Sequence, residues 1–206
     1  MKLNELELDA LAELFNLGVG QAADALSQLA GEAVQLSVPQ VQLLPKADVV
    51  RQLSVDSEDR RVSAVRQGFH GEIVTDAVLM FPAEQSLQLV QIMVGDAVPL
   101  EHLGEMEQEA LAEIGNILLN SVVASVGDAL GIVFDGSLPE VELGVPSDVL
   151  LANESVTDPL LSLKVRFEIA SRSIVGYLAF LLDIQSSGRL EERVAAFIQR
   201  LEASAA

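Results

Sequence analysis

Asp9-Ala-Leu-Ala-Glu13-Leu-Phe-Asn16 returns 100 positions later as Glu109-Ala-Leu-Ala-Glu113-Ile-Gly-Asn116. The register persists far outside these octets. Pro39 and Pro139 each stand 23 positions after their Asn. Val41 matches Val141, Leu43 matches Leu143, Asp48 matches Asp148, and Val65-Arg66 matches Val165-Arg166. An ungapped register over most of a half marks an internal repeat. The 206-residue chain reads as a tandem duplication, about 1–100 and 101–206, joined near Gly95 to Gly104.

Each repeat carries the same order of elements. A helix is expected from Leu6 to about Ala30 and from Glu105 to about Leu130, where Leu8, Leu11 and Phe15, or Leu111, Ile114, Ile117 and Leu118, recur at helical spacing. Gly31 and Gly131 are placed to cap these helices. Alternating runs at Val34–Val38 and Val41–Leu43, and at Ile132–Phe134 and Val141–Leu143, predict short strands with Pro39 or Pro139 at a bend or bulge between them. Polar segments near 46–60 and 146–160 predict loops or short helices. Strands follow at Arg61–Phe69 and Ile73–Phe81, and at Leu161–Ile169 and Ile174–Leu182. Closing helices are expected at Ala83–Val94 and Gly188–Leu201, with a tail frayed from Glu202. This order predicts an α+β fold, with long motif helices packed on a mainly antiparallel sheet. The joint is short and apolar, so one pseudo-two-fold domain over 1–206 is expected rather than two tethered units.

Composition removes several function classes. Half the residues are hydrophobic, enough for a real core, while aromatics are 4% and give bases little to stack on. A net charge of −19 opposes phosphate backbones and anionic lipid, so nucleic acid is not an expected partner. The absence of cysteine excludes disulfides, thiolate metal sites and thiol nucleophiles. The N-terminus turns acidic at once, and no uninterrupted apolar stretch approaches a bilayer span. A cytoplasmic protein without membrane insertion is expected.

Asp9, Glu13 and Asn16 stand at i, i+4 and i+7, which lines them along one helix face. Glu109, Glu113 and Asn116 repeat the arrangement. A polar face is the ordinary property of a surface helix. Asparagine, however, disfavours helix interiors, because its amide competes for backbone hydrogen bonds. Both repeats nevertheless carry it at the same place. A carboxamide both donates and accepts, so it can hold a water in one direction, and a carboxylate one turn away can pair with a partner's Lys or Arg. That combination suits placing a nucleophilic water, which is most of what phosphoryl transfer requires of a protein.

The pattern of an acid or Ser, Glu four positions on, Asn three further and Pro after 22 more resembles the signature of the CheC, CheX and FliY phosphatases. It stands here at Asp9, Glu13, Asn16 and Pro39, and again at Glu113, Asn116 and Pro139. Gly18, Gly20 and Leu26-Ser27 are also similar to CheC, as is the presence of two motif helices. The resemblance implies hydrolysis of the aspartyl phosphate of a CheY-like response regulator in chemotaxis or related two-component signalling. Asn16 and Asn116 would orient the attacking water, and Glu13 and Glu113 would contact the regulator's Lys. Asp9 and Glu109 would belong to the binding face. The Mg2+ belongs to the receiver, so no cofactor of the chain's own is expected. CheC proteins also bind the deamidase CheD, which leaves the alternative of a non-catalytic module that sequesters such a deamidase or a receiver. The second copy departs from the pattern at Glu109, where the family has Asp or Ser. Asn120 stands where the first copy has Gly20, a change expected to hinder close approach of a partner.

Other side chains offer less. His70 and His102 share no metal-ligand spacing, Asp56-Ser57-Glu58-Asp59 lacks the pattern of a calcium loop, and Ser27 has no His in a triad motif. Gly18-Val19-Gly20 follows no strand and is too short for a nucleotide fingerprint.

Overall fold

The computed structural model describes residues 2–56, 61–94, 103–151, 159–169 and 172–205. The elements run α1 (Glu5–Ala30), β1 (Val34–Pro45), α2 (Lys46–Asp56), β2 (Val62–Gly71), β3 (Thr75–Pro82) and α3 (Ala83–Val94). The second half runs α4 (Leu103–Leu130), β4 (Phe134–Gly136), β5 (Glu140–Gly144), α5 (Pro146–Leu151), β6 (Pro159–Ile169), β7 (Arg172–Leu182) and α6 (Ile184–Ala205).

Helix α1 begins at a capping box. The Asn4 side chain accepts from the Glu7 N–H at 3.0 Å, and the Glu7 carboxylate accepts from the Asn4 N–H at 2.8 Å. Gly31 and Gly131 end α1 and α4 with φ of 69° and 70°, the left-handed conformation glycine adopts without strain. Of the polar segments, 46–56 and 146–151 are helical, the latter opened by Pro146 at its first position. Helix α6 continues through Ala205, beyond the point where the composition predicted fraying.

The fold is α+β with an antiparallel sheet in the order β1-β6-β7-β3-β2-β4, and β5 joins β4 along the same edge of β2. Strands of the two halves interleave, the pair β6-β7 lying between β1 and the pair β3-β2. At the centre, β3 and β7 pair Val78 with Ala179 and Leu79 with Leu178. Exchanging each residue for its counterpart 100 positions away turns one of these pairs into the other, so a pseudo-two-fold axis passes between them. Both outer ladders carry one extra residue beside their proline: between Ser37 and Gln40 on β1, and between Gly136 and Glu140 opposite β2. The copies are not equal here. β1 is continuous, whereas its counterpart is broken into β4 and β5, with Leu138 87% exposed in the break.

The sheet is covered on both faces. Residues at period two divide β3: Ala77, Leu79 and Phe81 enter the large core under α1, α3, α4 and α6, and Val78 and Met80 enter a smaller one with Val49 and Leu53 of α2 and Val149 and Leu150 of α5. Helices α1 and α4 lie against each other. A Cβ on Gly18 would meet the Val122 Cα at 2.6 Å, and the buried Ser125 hydroxyl donates to the Leu14 carbonyl at 3.0 Å. Met106–Leu130 is long and apolar enough on average to cross a bilayer, although Glu107, Glu109, Glu113 and Asp128 interrupt it. Half of that window is buried within the fold, as befits a helix at the centre of the core.

Candidate functional site

The helical spacing holds for both motifs. Asp9 and Glu13 on α1, and Glu109 and Glu113 on α4, are exposed; Asn16 and Asn116 are half-buried where each helix turns toward the sheet. Leu11, Leu14 and Phe15 point the other way into the core, as do Leu111 and Ile114. Each helix therefore presents its glutamate outward, with the amide recessed beside it.

Backbone atoms fix how each amide faces. The Val38 N–H lies 3.0 Å from Asn16 and can only donate, so the atom it meets is Oδ1. Val38 stands in the bulge of β1. The Asn16 NH2 group is thereby turned away from the strand.

The second copy reaches the same result differently. Asn120 Nδ2 lies 2.7 Å from the Asn116 carbonyl, which can only accept, and 2.8 Å from Asn116 Oδ1. The first contact identifies the Asn120 atom as nitrogen, and the second then identifies the Asn116 atom as oxygen. Gln67, buried on β2, donates from Nε2 to the Ser137 carbonyl at 2.7 Å and holds its Oε1 3.4 Å from Asn120 Nδ2. Asn120 therefore engages Asn116 rather than standing outward. At Gly20 the first copy has open space, with nothing within 4 Å of where a Cβ would lie.

Asp9 and Glu13 line a depression of about 490 Å³ between α1 and α6, together with Leu6, Ala10, Ala12, Ile198, Leu201 and Glu202. Its floor is apolar and its rim carries three carboxylates. Helix α6 is held there by two charge-assisted contacts. Asp183 caps it by accepting from the Ser186 N–H at 2.6 Å, which lowers the Asp183 pKa. Arg193 Nε donates to Glu72 Oε1 at 2.9 Å, lowering the Glu72 pKa and raising that of Arg193.

The remaining sequence candidates fall elsewhere. His70 is exposed on β2, His102 lies outside the described residues, and of the acidic run only Asp56 is described, at the end of α2. No group of three or more metal-ligating side chains occurs among the described residues. Ser27 is structural: its hydroxyl donates to the Ala23 carbonyl at 2.7 Å and accepts from the Val34 N–H at 2.9 Å, joining α1 to β1. Sequence reading missed Gln67, the Val38 N–H and the end of α6. It treated Asn120 as an obstacle, although its i+4 spacing from Asn116 was a usable signal.

The model of the CheC-like family matches residues 6–43, which carry the first motif and its proline. The CheY-P phosphatase CheC of Bacillus subtilis (strain 168) is 29% identical over 144 residues, 68% of each chain. The chain is thus similar to the CheC-like family through its first motif segment, and to CheC over two thirds of its length. The flagellar motor switch phosphatase FliY of the same organism is 26% identical over 145 residues, but the match spans only 36% of FliY. Among solved structures, Thermotoga maritima FliY superposes with a TM-score of 0.77 at 20% identity, covering 96% of this chain and 100% of the other. The CheX-CheY-BeF3-Mg+2 complex from Borrelia burgdorferi contains a chain that matches with a TM-score of 0.52 at 18% identity, covering 83% of this chain and 97% of that one. At such identities these structures establish the CheC-like fold.

Proposed function

We propose that this chain is a cytoplasmic response-regulator phosphatase that hydrolyses the aspartyl phosphate of a CheY-like receiver. Asn16 and Asn116 each position a water in line with the phosphorus. The water oxygen forms the new P–O bond, the bond to the aspartyl oxygen breaks, and the regenerated carboxylate and inorganic phosphate leave. Glu13 and Glu113 pair with a cation of the receiver, and Asp9 and Glu109 extend that docking edge. The chain needs no cofactor of its own, since the Mg2+ that neutralises the phosphoryl oxygens comes with the receiver.

One observation carries this reading: each motif carboxamide oxygen accepts a hydrogen bond from within the chain, from the Val38 N–H or from the Asn120 side chain, one turn from an exposed glutamate. Orientation fixed before binding is the contribution a non-ionising side chain can make to water attack. The names of the relatives, a CheY-P phosphatase and a motor switch phosphatase, support the same substrate class.

The test is decay of a phosphorylated receiver with and without the protein. Acceleration is expected from the native chain and is lost in the Asn16→Ala, Asn116→Ala double variant, with circular dichroism and unfolding midpoint retained. Undiminished acceleration in the double variant overturns the mechanism. A stable complex with receiver or deamidase and no acceleration by the native chain would replace it with sequestration.

A further inference from the structure

The two copies satisfy the motif amide with different donors. In the first, the strand after the helix is continuous, and its Val38 N–H reaches Asn16 Oδ1. In the second, the strand is interrupted at the equivalent point: Ser137 bonds back to Gly68, and Leu138, the counterpart of Val38, projects into solvent. The donor to Asn116 Oδ1 is instead the side chain of Asn120, one helical turn along α4. The first copy has Gly20 at that position and does not need it.

We propose that Asn120 is a positioning residue for the second face, replacing in side-chain form the backbone donor that Val38 supplies to the first. This inference rests on the phosphatase reading above, which it deepens by naming what makes the second face usable. The replacement is itself held in place. Gln67 is anchored through its NH2 to the Ser137 carbonyl in the strand break, and its oxygen lies on the far side of the Asn120 NH2. The line Ser137–Gln67–Asn120–Asn116 thus runs from the interrupted strand to the motif amide. Without it, the terminal torsion of Asn116 would have two nearly equivalent settings, because an amide rotates broadly about its last bond. Only one of these settings turns the oxygen to the Asn120 amide. The Gly20-to-Asn120 difference is therefore a compensation for the broken strand.

The test uses the full chain in two single-face backgrounds: Asn16→Ala leaves only the second face, and Asn116→Ala only the first. Asn120→Asp keeps the shape but turns an acceptor toward the two Asn116 oxygens; Asn120→Ala removes the donor while favouring the helix. In the Asn16→Ala background, both substitutions are expected to lower the maximal rate of phospho-receiver decay by about fivefold to tenfold, as for loss of one positioning hydrogen bond, with the half-saturating receiver concentration unchanged. In the Asn116→Ala background they leave the rate as it was. A loss of equal size in both backgrounds, no loss in either, or a second face already inactive with Asn120 intact overturns the proposal. A readout independent of activity is the side-chain amide signal of Asn116 by NMR. Asn120→Ala should shift and broaden it while the Asn16 signal stays put; an unmoved Asn116 signal refutes the contact. If the native chain accelerates no receiver but the signal moves, the phosphatase reading fails and the positioning contact survives.

Discussion

Gly18 and Gly20 lie two residues apart on α1, and alanine should have opposite effects at them. A Cβ on Gly18 would sit 2.6 Å from the Val122 Cα and 2.9 Å from the Ser121 carbonyl oxygen, both backbone atoms of α4. Ordinary contact begins at 3.4 Å, so the α1–α4 seam must open by about 0.8 Å locally. Overpacking of a fixed core costs about 1–3 kcal/mol. Helix propensity returns about 1 kcal/mol for replacing glycine by alanine. At Gly20 nothing lies within 4 Å, so only the propensity gain remains. Gly20→Ala should therefore raise stability by about 1 kcal/mol. Subtracting its effect from that of Gly18→Ala cancels propensity and isolates the contact, about 1–3 kcal/mol. Urea unfolding of the two variants and the native chain, fitted with a common slope, measures both quantities. If Gly18→Ala proves as stable as Gly20→Ala, the seam is not close-packed and the reasoning fails.

Replacing Asn4 by Ala removes the capping box at the start of α1 and should cost about 1 kcal/mol in the same unfolding assay. The Glu72–Arg193 pair makes the attachment of α6 acid-sensitive: Glu72 has a folded pKa below its ordinary value, so the stability it contributes is present above that ordinary value and disappears as pH falls through the lowered one. Protection of α6 amides from hydrogen exchange, relative to the intrinsic rate at each pH, should fall over that acidic interval, and Arg193→Ala should lessen that fall, the Asp183 cap supplying the remainder. Truncating Ile114 to Ala in the core behind the second motif should cost about 2–5 kcal/mol, read from the shift in denaturant midpoint.

The repeat made most of the architecture legible. Once one half was read as helix, two strand pieces, polar segment, two strands and helix, the other half confirmed each element, and Gly31 and Gly131 marked the same helix ends. Helical spacing also sufficed to place Glu13 beside Asn16 on one face. What escaped was whatever depended on a neighbour distant in sequence. No local pattern reveals that Val38 will meet Asn16, or that Gln67 will stand behind Asn120, because these meetings are set by sheet register. The break after Gly136 was equally hidden, since Ile132–Phe134 and Val141–Leu143 read as strand in either case. With the break unseen, Asn120 looked like a bulky substitute for glycine. The depression beside Glu13 was missed because α6 was expected to end at Leu201 and fray from Glu202, which lines it.

The interleaved sheet bears on how the two faces came to differ. Only the β2–β3 and β6–β7 ladders lie within one half; β1 pairs with β6, β3 with β7, and β4 and β5 with β2. Half a chain on its own would expose open strand edges and would need a second copy to cover them. In such a symmetric pair, every substitution strikes both faces at once, so a broken strand and its remedy would have to arise together on each side. Fusing the halves into one chain releases them from that constraint. One face can keep a plain glycine and a backbone donor, while the other tries an interrupted strand and an amide in its place, with the first face as insurance throughout the change.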